Sequence, residues 1–369
     1  MKLVGVNESL ANISSDFMIA ALLIYSLAVL AFAGDFAFGR PRRAAAAAVK
    51  QRARVAELAT VGGGSGSDRS DSSVLDAALS EAVGSDAGDT PGGRPPGTAN
   101  VLPPRQVPLP RAIKEAGNWV RAAVVLSMLG VTAHVIAVST RGFAVHRAPW
   151  GDMYEFVTAL TCVAGIFFIY VMLKYRAWAL GVFVMGAIVI ALGLAETVIY
   201  TAAGPLVPAL QSYWLSIHVT AMTLSTGIFF VAFVLGILYL ATDVYRSRVA
   251  AGKVEGGNGL LERIPSPEQL DKLTYRTVIF GFPVWTFGVI AGAIWADQAW
   301  GHYWSWDPVE TWAFITWVLY AAYLHARATA GWRGRRAHYI QILGFFSLAF
   351  NILVVQIFIT GMHSYAGLG

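Results

Sequence analysis

Eight apolar runs, each long enough to cross a lipid bilayer, restrict what this chain can fold into more than any other feature. They lie near residues 17–33, 119–139, 153–173, 178–199, 214–241, 277–297, 308–328 and 338–361. A helix needs about 20 apolar residues to span the hydrocarbon core, where backbone polar groups must be paired within the protein. Only 13% of the residues are charged, against about 25% in an average soluble domain. We therefore predict an all-α integral membrane protein with about eight transmembrane helices.

The lysine and arginine residues between these runs predict the side of the membrane that each loop occupies. They cluster in three loops, at 174–176, 246–276 and 327–336. The loops at 200–213 and 298–307 contain none. Because cytoplasmic loops carry the excess of Lys and Arg, we expect the basic loops to be cytoplasmic and the other two loops and both termini to be outside. Only the loop at 140–152, with Arg141 and Arg147, departs from this alternation.

The chain is predicted to contain four segments. They are an N-terminal transmembrane anchor at 1–39, a cytoplasmic low-complexity linker at 40–117, a second transmembrane helix with its outer loop at 118–148, and the remaining transmembrane region at 149–369. The linker is rich in Gly, Ser, Asp and Pro and cannot build a hydrophobic core. Ala31-Phe32-Ala33 is similar to a signal-peptidase site, so cleavage near residue 33 is one alternative. Arg40, Arg42 and Arg43 follow the first run, which favours an uncleaved anchor.

Tryptophan is concentrated in one part of the sequence. Seven of the twelve tryptophans fall within residues 285–317, and Trp300, Trp304 and Trp306 stand together between two apolar runs. An interfacial aromatic belt explains a few rings at helix ends, and an unusually rich belt is the alternative here. Rigid, flat, apolar side chains at this density indicate a platform for a large, flat, apolar ligand.

A helix start follows these three tryptophans directly. Asp307 suits the N-cap position, Pro308 the first helical position, and Glu310 completes a capping box. The three tryptophans therefore precede the helix and lie on an extracytoplasmic loop. We assign Asp307 first to capping and second to contact with the ligand. Trp312 and Trp317 follow on the helix and are expected to pack against neighbouring spans.

Three histidines are informative because of their predicted depth. His218 lies near the outer end of the fifth run and His363 follows the eighth, so both emerge beside the tryptophan loop. Two imidazoles there suit axial ligation of haem iron; a polar residue at a helix end is the alternative for either one alone. His325 lies fourteen residues below Thr311, or about 21 Å into the bilayer. An ionisable residue at that depth indicates function, with snorkelling toward the inner headgroups as the alternative.

Several stretches resemble the haem-handling membrane proteins of cytochrome c biogenesis, within which the CcsA (ResC) type of system II is the most similar. The resemblance rests on Gly281-Phe282-Pro283, the run 288–296, the tryptophan-rich "WWD" loop at 300–312, Leu324-His325-Ala326-Arg327 and the segment 149–155. It covers residues 149–366. Asp152 stands where the family usually has Asn, and Val309 replaces a usual Lys. The resemblance implies that segment 149–369 is a haem-handling cytochrome c assembly domain.

The resemblance implies a set of ligands and partners. His218 and His363 would hold haem b (iron protoporphyrin IX) at the WWD loop, which contributes Trp300, Trp304, Trp306 and Asp307. His325 would ligate a second haem in transit, whose other ligand belongs to a CcsB (ResB)-type membrane partner. The acceptor would be apocytochrome c, and the chain would be part of a holocytochrome c synthase (haem lyase) complex in a bacterial cell membrane. No catalytic residue and no nucleic acid are implied.

Two other classes of membrane protein are compatible with this sequence. A b-type electron-carrier subunit of a respiratory complex would also place histidines at matched depth, although it needs no open tryptophan platform. A membrane transporter would line its pathway with Glu196 or His325. On charge and side alone, Arg141 and Arg147 are expected to meet the haem propionates.

Overall fold

The computed structural model describes residues 6–39, 108–204, 212–256, 260–329, 332 and 334–363. The chain forms two compact units, one of Met1–Ala37 with Ala116–Gly369 and one of Phe38–Glu115. Within the second unit, the described part includes one short helix, Leu109–Glu115. The predicted linker at 40–117 lies mostly outside the described residues, so its assignment stays a prediction.

Eight long helices in the first unit follow the eight apolar runs in order. They are α1 (Glu8–Gly34), α2 (Asn118–Ala144), α3 (Met153–Tyr175), α4 (Gly181–Val198), α5 (Tyr213–Ala250), α6 (Pro267–Trp300), α7 (Pro308–Ala328) and α8 (Arg335–Phe350). Wider, π-helical turns extend α1 through Asp35–Gly39 and α8 through Asn351–Val355, and Gln356–Phe358 forms a last α-helical turn. Short 3₁₀ turns, Trp178–Leu180 and Leu260–Arg263, precede α4 and α6. The described residues contain no strand, so the prediction of an all-α membrane protein is confirmed.

Seven of the described helices are long and apolar enough to cross a membrane. The predicted span that does not qualify is α7, although its 21 residues are sufficient in length. Glu310, His325 and Arg327, together with several Trp and Tyr residues, lower its hydropathy. Helix α7 nevertheless packs between α6 and α8.

Close helix packing in the first half depends on small residues opposite aromatic rings. Helix α1 lies along α2 and also contacts α3 and α4 through its aromatic side chains. A Cβ atom at Gly130 would lie 2.5 Å from the Tyr25 ring, and one at Gly181 would lie 2.5 Å from the Phe32 ring. Both rings are buried. The absence of side chains at the two glycines therefore lets α1 approach α2 and α4.

A second core joins α5, α6, α7 and α8. The rings of Phe229 and Tyr320 stack with centroids 3.9 Å apart, and Trp285 packs beside Phe229. Polar contacts between α7 and α8 accompany this core. The hydroxyls of Thr316 and Ser347 lie 3.0 Å apart. These contacts fix α8 against α7, and the polypeptide leaving α8 returns to the start of α7.

Candidate functional site

The tryptophan loop ends in the predicted capping box. The Asp307 carboxylate accepts a hydrogen bond from the Val309 N–H at 3.0 Å, and Glu310 accepts one from the Asp307 N–H at 3.3 Å. Glu310 also accepts from the Ser305 N–H and hydroxyl, at 2.9 and 3.1 Å. The capping prediction is confirmed, and the loop is held by the same two carboxylates that start α7.

Asp307 has a second contact that the capping interpretation did not include. Its Oδ1 lies 2.8 Å from His363 Nδ1, and its Oδ2 accepts the Met362 N–H at 2.6 Å. A Cβ atom at Gly361 would lie 2.4 Å from Oδ2, so this approach requires glycine there. Burial works to raise the pKa of Asp307, but hydrogen bonds from His363 and two backbone N–H groups outweigh it and hold the pKa below its usual value. The carboxylate therefore both caps α7 and orients an imidazole.

His218 is oriented in a similar way by the backbone of α6. Its Nδ1 lies 2.7 Å from the carbonyl oxygen of Gly288. A Cβ atom at Gly292 would lie 2.6 Å from the imidazole ring, so the ring rests directly against the α6 backbone. Trp295, one turn further along α6, stacks against His218 with centroids 6.3 Å apart and planes at 10°.

The two histidines share a protonation pattern. In both cases the partner of Nδ1 is an acceptor, a carbonyl oxygen for His218 and a carboxylate oxygen for His363. Nδ1 must therefore carry the proton, which leaves Nε2 unprotonated in the neutral ring. A hydrogen bond of this kind fixes the tautomer and orientation of metal-binding histidines and increases ligand basicity. Each ring is thus prepared to bind a metal through Nε2.

One cavity connects these rings with the tryptophans. His218 and His363 both line it, together with five tryptophans from the segment before α3, from α6 and from the loop: Trp150, Trp285, Trp295, Trp300 and Trp304. The Trp300 ring lies 5.1 Å from the His363 ring and 4.7 Å from the Trp295 ring. The described lining includes no lysine or arginine. The site is therefore an aromatic cavity with two prepared imidazoles and no cation.

The remaining predicted tryptophans fall into two groups. Trp306 does not line the cavity: the residue is 66% exposed, and its ring packs edge-on beside Trp304 and Phe314. Trp306 thus supports Trp304 in this structure, and the prediction that it faces the ligand stays a prediction. Trp312 packs on Phe350, and Trp317 donates its indole N–H to Thr286 at 3.0 Å. The prediction that these two pack against neighbouring spans is confirmed.

Arg141 and Arg147 are bound inside the protein. Arg141 donates to Glu155 at 2.9 Å and Arg147 donates to its other oxygen at 2.6 Å, while the Glu155 side chain is fully buried. The two arginines also donate to the backbone carbonyls of Thr201 and Gly204. A buried carboxylate needs such compensation. Because both arginines already bind Glu155, the expectation that they meet haem propionates is corrected. The same contacts fix the position of the segment that carries Trp150.

His325 does not line the cavity that holds His218 and His363. Its side chain is exposed on α7, on the same face as Phe314, Val318 and Ala322. His338 is fully buried: its Nε2 lies 3.0 Å from Asp271, which also accepts two 2.8 Å hydrogen bonds from Arg327, and Tyr239 stacks on its ring. His338 is therefore held inside the helix bundle by Asp271 and Tyr239, whereas the side chain of His325 is exposed on the surface.

Comparison with known proteins gives consistent matches. A family model described as Cytochrome C assembly protein matches residues 150–363. The chain is 36% identical over 256 residues to the "Cytochrome c biogenesis protein CcsA" of Heterosigma akashiwo, covering 62% of this chain and 80% of that relative. It is 38% identical over 263 residues to the protein of the same name from Guillardia theta, covering 67% and 85%.

One solved structure is also similar. The chain matches "Cytochrome c Heme Lyase CcmF" with a TM-score of 0.45 and 18% identity. The match covers 66% of this chain and 46% of the other.

Proposed function

Because this chain belongs to the cytochrome c assembly protein family and takes part in cytochrome c biogenesis, we propose that it binds haem b between His218 and His363 and presents it to apocytochrome c. The observation that carries the proposal is the pair of imidazoles in one tryptophan-lined cavity, each with Nδ1 bonded to an acceptor. The family role in cytochrome c biogenesis favours this proposal over the electron-carrier and transporter alternatives.

The donor set suits haem as the cargo of this site. Haem iron already has four porphyrin nitrogens, so two imidazoles complete its coordination. Indole rings offer flat apolar surface for the macrocycle. The cavity holds about 150 Å³, less than the roughly 300 Å³ at the lower end of ligand pockets. Haem binding would therefore require this cavity to widen.

Covalent attachment of haem to apocytochrome c requires little acid–base chemistry from this chain. Each acceptor cysteine adds its S–H across a haem vinyl group, forming one C–S and one C–H bond with no net oxidation. His218 and His363 would hold the iron, and the tryptophans would orient the ring plane. Since the described cavity lining has no cation, we expect the propionates to point to water or to a partner protein.

The exposed position of His325 supports the second part of the proposal, that a CcsB (ResB)-type partner supplies the other ligand of a second haem. Phe314, Val318 and Ala322 continue from His325 along the same exposed face of α7 toward the tryptophan loop. His338 is held by Asp271 and Tyr239 and is a poor candidate for that ligand. A partner helix on this face would contribute the missing imidazole.

The test of the proposed function combines two measurements on the same preparation. The purified protein should show the absorption spectrum of low-spin, bis-histidine haem, and cells that express it with its partner should attach haem covalently to a co-expressed apocytochrome c. Absence of both the haem spectrum and the covalent product, with the protein present at normal abundance, would overturn the proposal.

The orientation that places the site outside can be tested with reporter fusions. From the distribution of Lys and Arg, we expect fusions after Gly204 and Gly369 to report an extracytoplasmic location and a fusion after Gly257 to report a cytoplasmic one. The paired measurements are alkaline phosphatase and green fluorescent protein activity at each position. Reversed signals at these positions would place the tryptophan loop in the cytoplasm and contradict the proposed extracytoplasmic haem site.

Trp304→Ala should lower haem occupancy more than Trp306→Ala. Trp304 lines the cavity, whereas Trp306 is largely exposed. Stacking of an aromatic ring contributes about 0.5–1.5 kcal/mol beyond burial, so we expect a loss of up to about tenfold in haem affinity for the first variant. The measurement is haem per protein at matched abundance. Equal losses in both variants would contradict the separation of cavity and support.

A further inference from the structure

A second groove lies between α3, α5 and α6, away from the tryptophan loop in sequence. It encloses about 530 Å³, and its walls are almost entirely apolar. The lining from α3 includes Val163, Ile166 and Phe167, and Phe280 of α6 stacks on Phe167 with centroids 6.0 Å apart. Ile166 and Phe280 are about half exposed, so the groove opens toward the lipid.

One end of this groove is polar and cationic. Tyr170 and Tyr175 of α3 and Arg276 of α6 line that end. The Arg276 guanidinium lies 5.4 Å from the centroid of the Tyr175 ring, and the Lys174 ammonium lies 5.6 Å from the same centroid. Lys174 also donates a hydrogen bond to the Tyr170 hydroxyl. Two cations are thus held at one tyrosine at the mouth of an apolar groove.

Neither cation has an acidic partner among the residues that the structure describes. In the described parts of the chain, no carboxylate lies within ion-pair distance of Lys174 or Arg276. Arg141, Arg147 and Arg327 differ from these two cations, since each has an acidic partner. Two unpaired positive charges that share one ring repel each other, and an anion between them would remove that repulsion.

The length of the groove is close to the hydrocarbon thickness of one leaflet of the bilayer. Its α3 lining runs from Val163 to Tyr175, which is about 18 Å along a helix. Half of a hydrocarbon core measures about 15 Å. A lipid whose headgroup lies at Tyr175 would therefore place its acyl chain along the whole groove, with the chain end near Val163.

We propose that this groove is a binding site for one anionic phospholipid, with the phosphate held by Lys174 and Arg276 and one acyl chain lying between α3, α5 and α6. Tyr170 and Tyr175 contribute hydroxyls at the depth of the headgroup, where amphipathic aromatic residues are favoured. The site is independent of the proposed haem chemistry, so it can fail without affecting that proposal.

The test measures lipid binding to the full chain by native mass spectrometry in a neutral detergent. Phosphatidylglycerol and phosphatidylcholine with identical acyl chains are compared, so that the two lipids differ only in the headgroup, which is anionic in the first and zwitterionic in the second. We expect one phosphatidylglycerol to bind per chain in preference to phosphatidylcholine. The double variant Lys174→Gln with Arg276→Gln should weaken phosphatidylglycerol binding by about thirtyfold.

Two further variants separate the groove from general surface charge. Arg121→Gln removes an exposed cation from the start of α2, away from the groove lining, and should leave binding unchanged. Ile166→Trp fills the groove without changing charge and should weaken binding of the phospholipid but not of inorganic phosphate. Equal affinity of the double variant and the unmodified chain would overturn the proposal. Full phospholipid affinity in Ile166→Trp would also overturn it, because the anion site would then need no acyl chain.

Discussion

Replacing His218 or His363 by alanine should lower the yield of holocytochrome c by about a hundredfold, at normal abundance of the variant protein. Loss of groups that only orient a metal ligand already costs about 10–100-fold in metal affinity, and loss of the ligand itself should cost at least as much. The yield is measured as covalent haem in a co-expressed acceptor. Added imidazole should restore part of it, because a small free ligand can occupy the vacated axial position.

A matched control exists in the same region of the chain. His302→Ala removes another histidine of the tryptophan loop that does not line the cavity, and it should keep most of the yield. Gly292→Ala provides an independent test of geometry, because its Cβ would lie 2.6 Å from the His218 ring. It should reduce haem occupancy although both ligands are still present. Normal maturation in both single histidine variants would contradict the ligand assignment.

Asp307→Ser should retain the start of α7 but lose most of the haem occupancy, a reduction of about 10–100-fold in haem affinity. Serine can accept the hydrogen bond from the Val309 N–H, as an N-cap residue does. Its single hydroxyl cannot also accept from His363 Nδ1 and the Met362 N–H, which the two carboxylate oxygens of Asp307 receive. The measurement is haem per protein, together with thermal stability.

Two companion variants separate the roles of Asp307. Asp307→Ala loses the cap as well, at a cost of about 0.5–2 kcal/mol, and should be less stable than Asp307→Ser while binding as little haem. Asp307→Asn keeps one oxygen that can serve both Val309 and His363, so it should retain intermediate occupancy. If Asp307→Ser binds haem as well as the unmodified chain, capping alone explains Asp307 and its contact with His363 is unimportant.

The helices were predictable because each segment that crosses the bilayer needs about 20 consecutive apolar residues. The predicted start at 308 agrees with α7, since Asp307, Pro308 and Glu310 are local signals. The predicted ends were less accurate where a helix continues beyond the hydrocarbon core. Helix α6 begins at Pro267 instead of near 277, because polar residues can extend a helix into water once apolar residues have carried it across the membrane.

The orienting contacts of the site were not predictable from the sequence. Gly288 is 70 residues from His218, and Asp307 is 56 residues from His363. No local pattern marks a backbone carbonyl as a partner for a distant imidazole. The sequence also does not mark Trp150 and Trp295 as cavity residues, although the segment 149–155 and the glycine run before Trp295 are part of the family resemblance. Those glycines are the one sequence feature that indicates a close contact on α6, since Gly292 is needed for the His218 ring to lie against the helix backbone.

The modest hydropathy of α7 has a consequence for how the protein is made. A segment with an acidic residue in its first turn and an arginine in its last partitions weakly into lipid by itself, so we expect its insertion to depend on α6 and α8 as neighbours. Asp307, which orients His363, sits at the start of this segment. A chain whose α7 has not yet entered the bilayer would lack an assembled site. Under the proposed function, competence to bind haem would therefore appear only when membrane integration is complete.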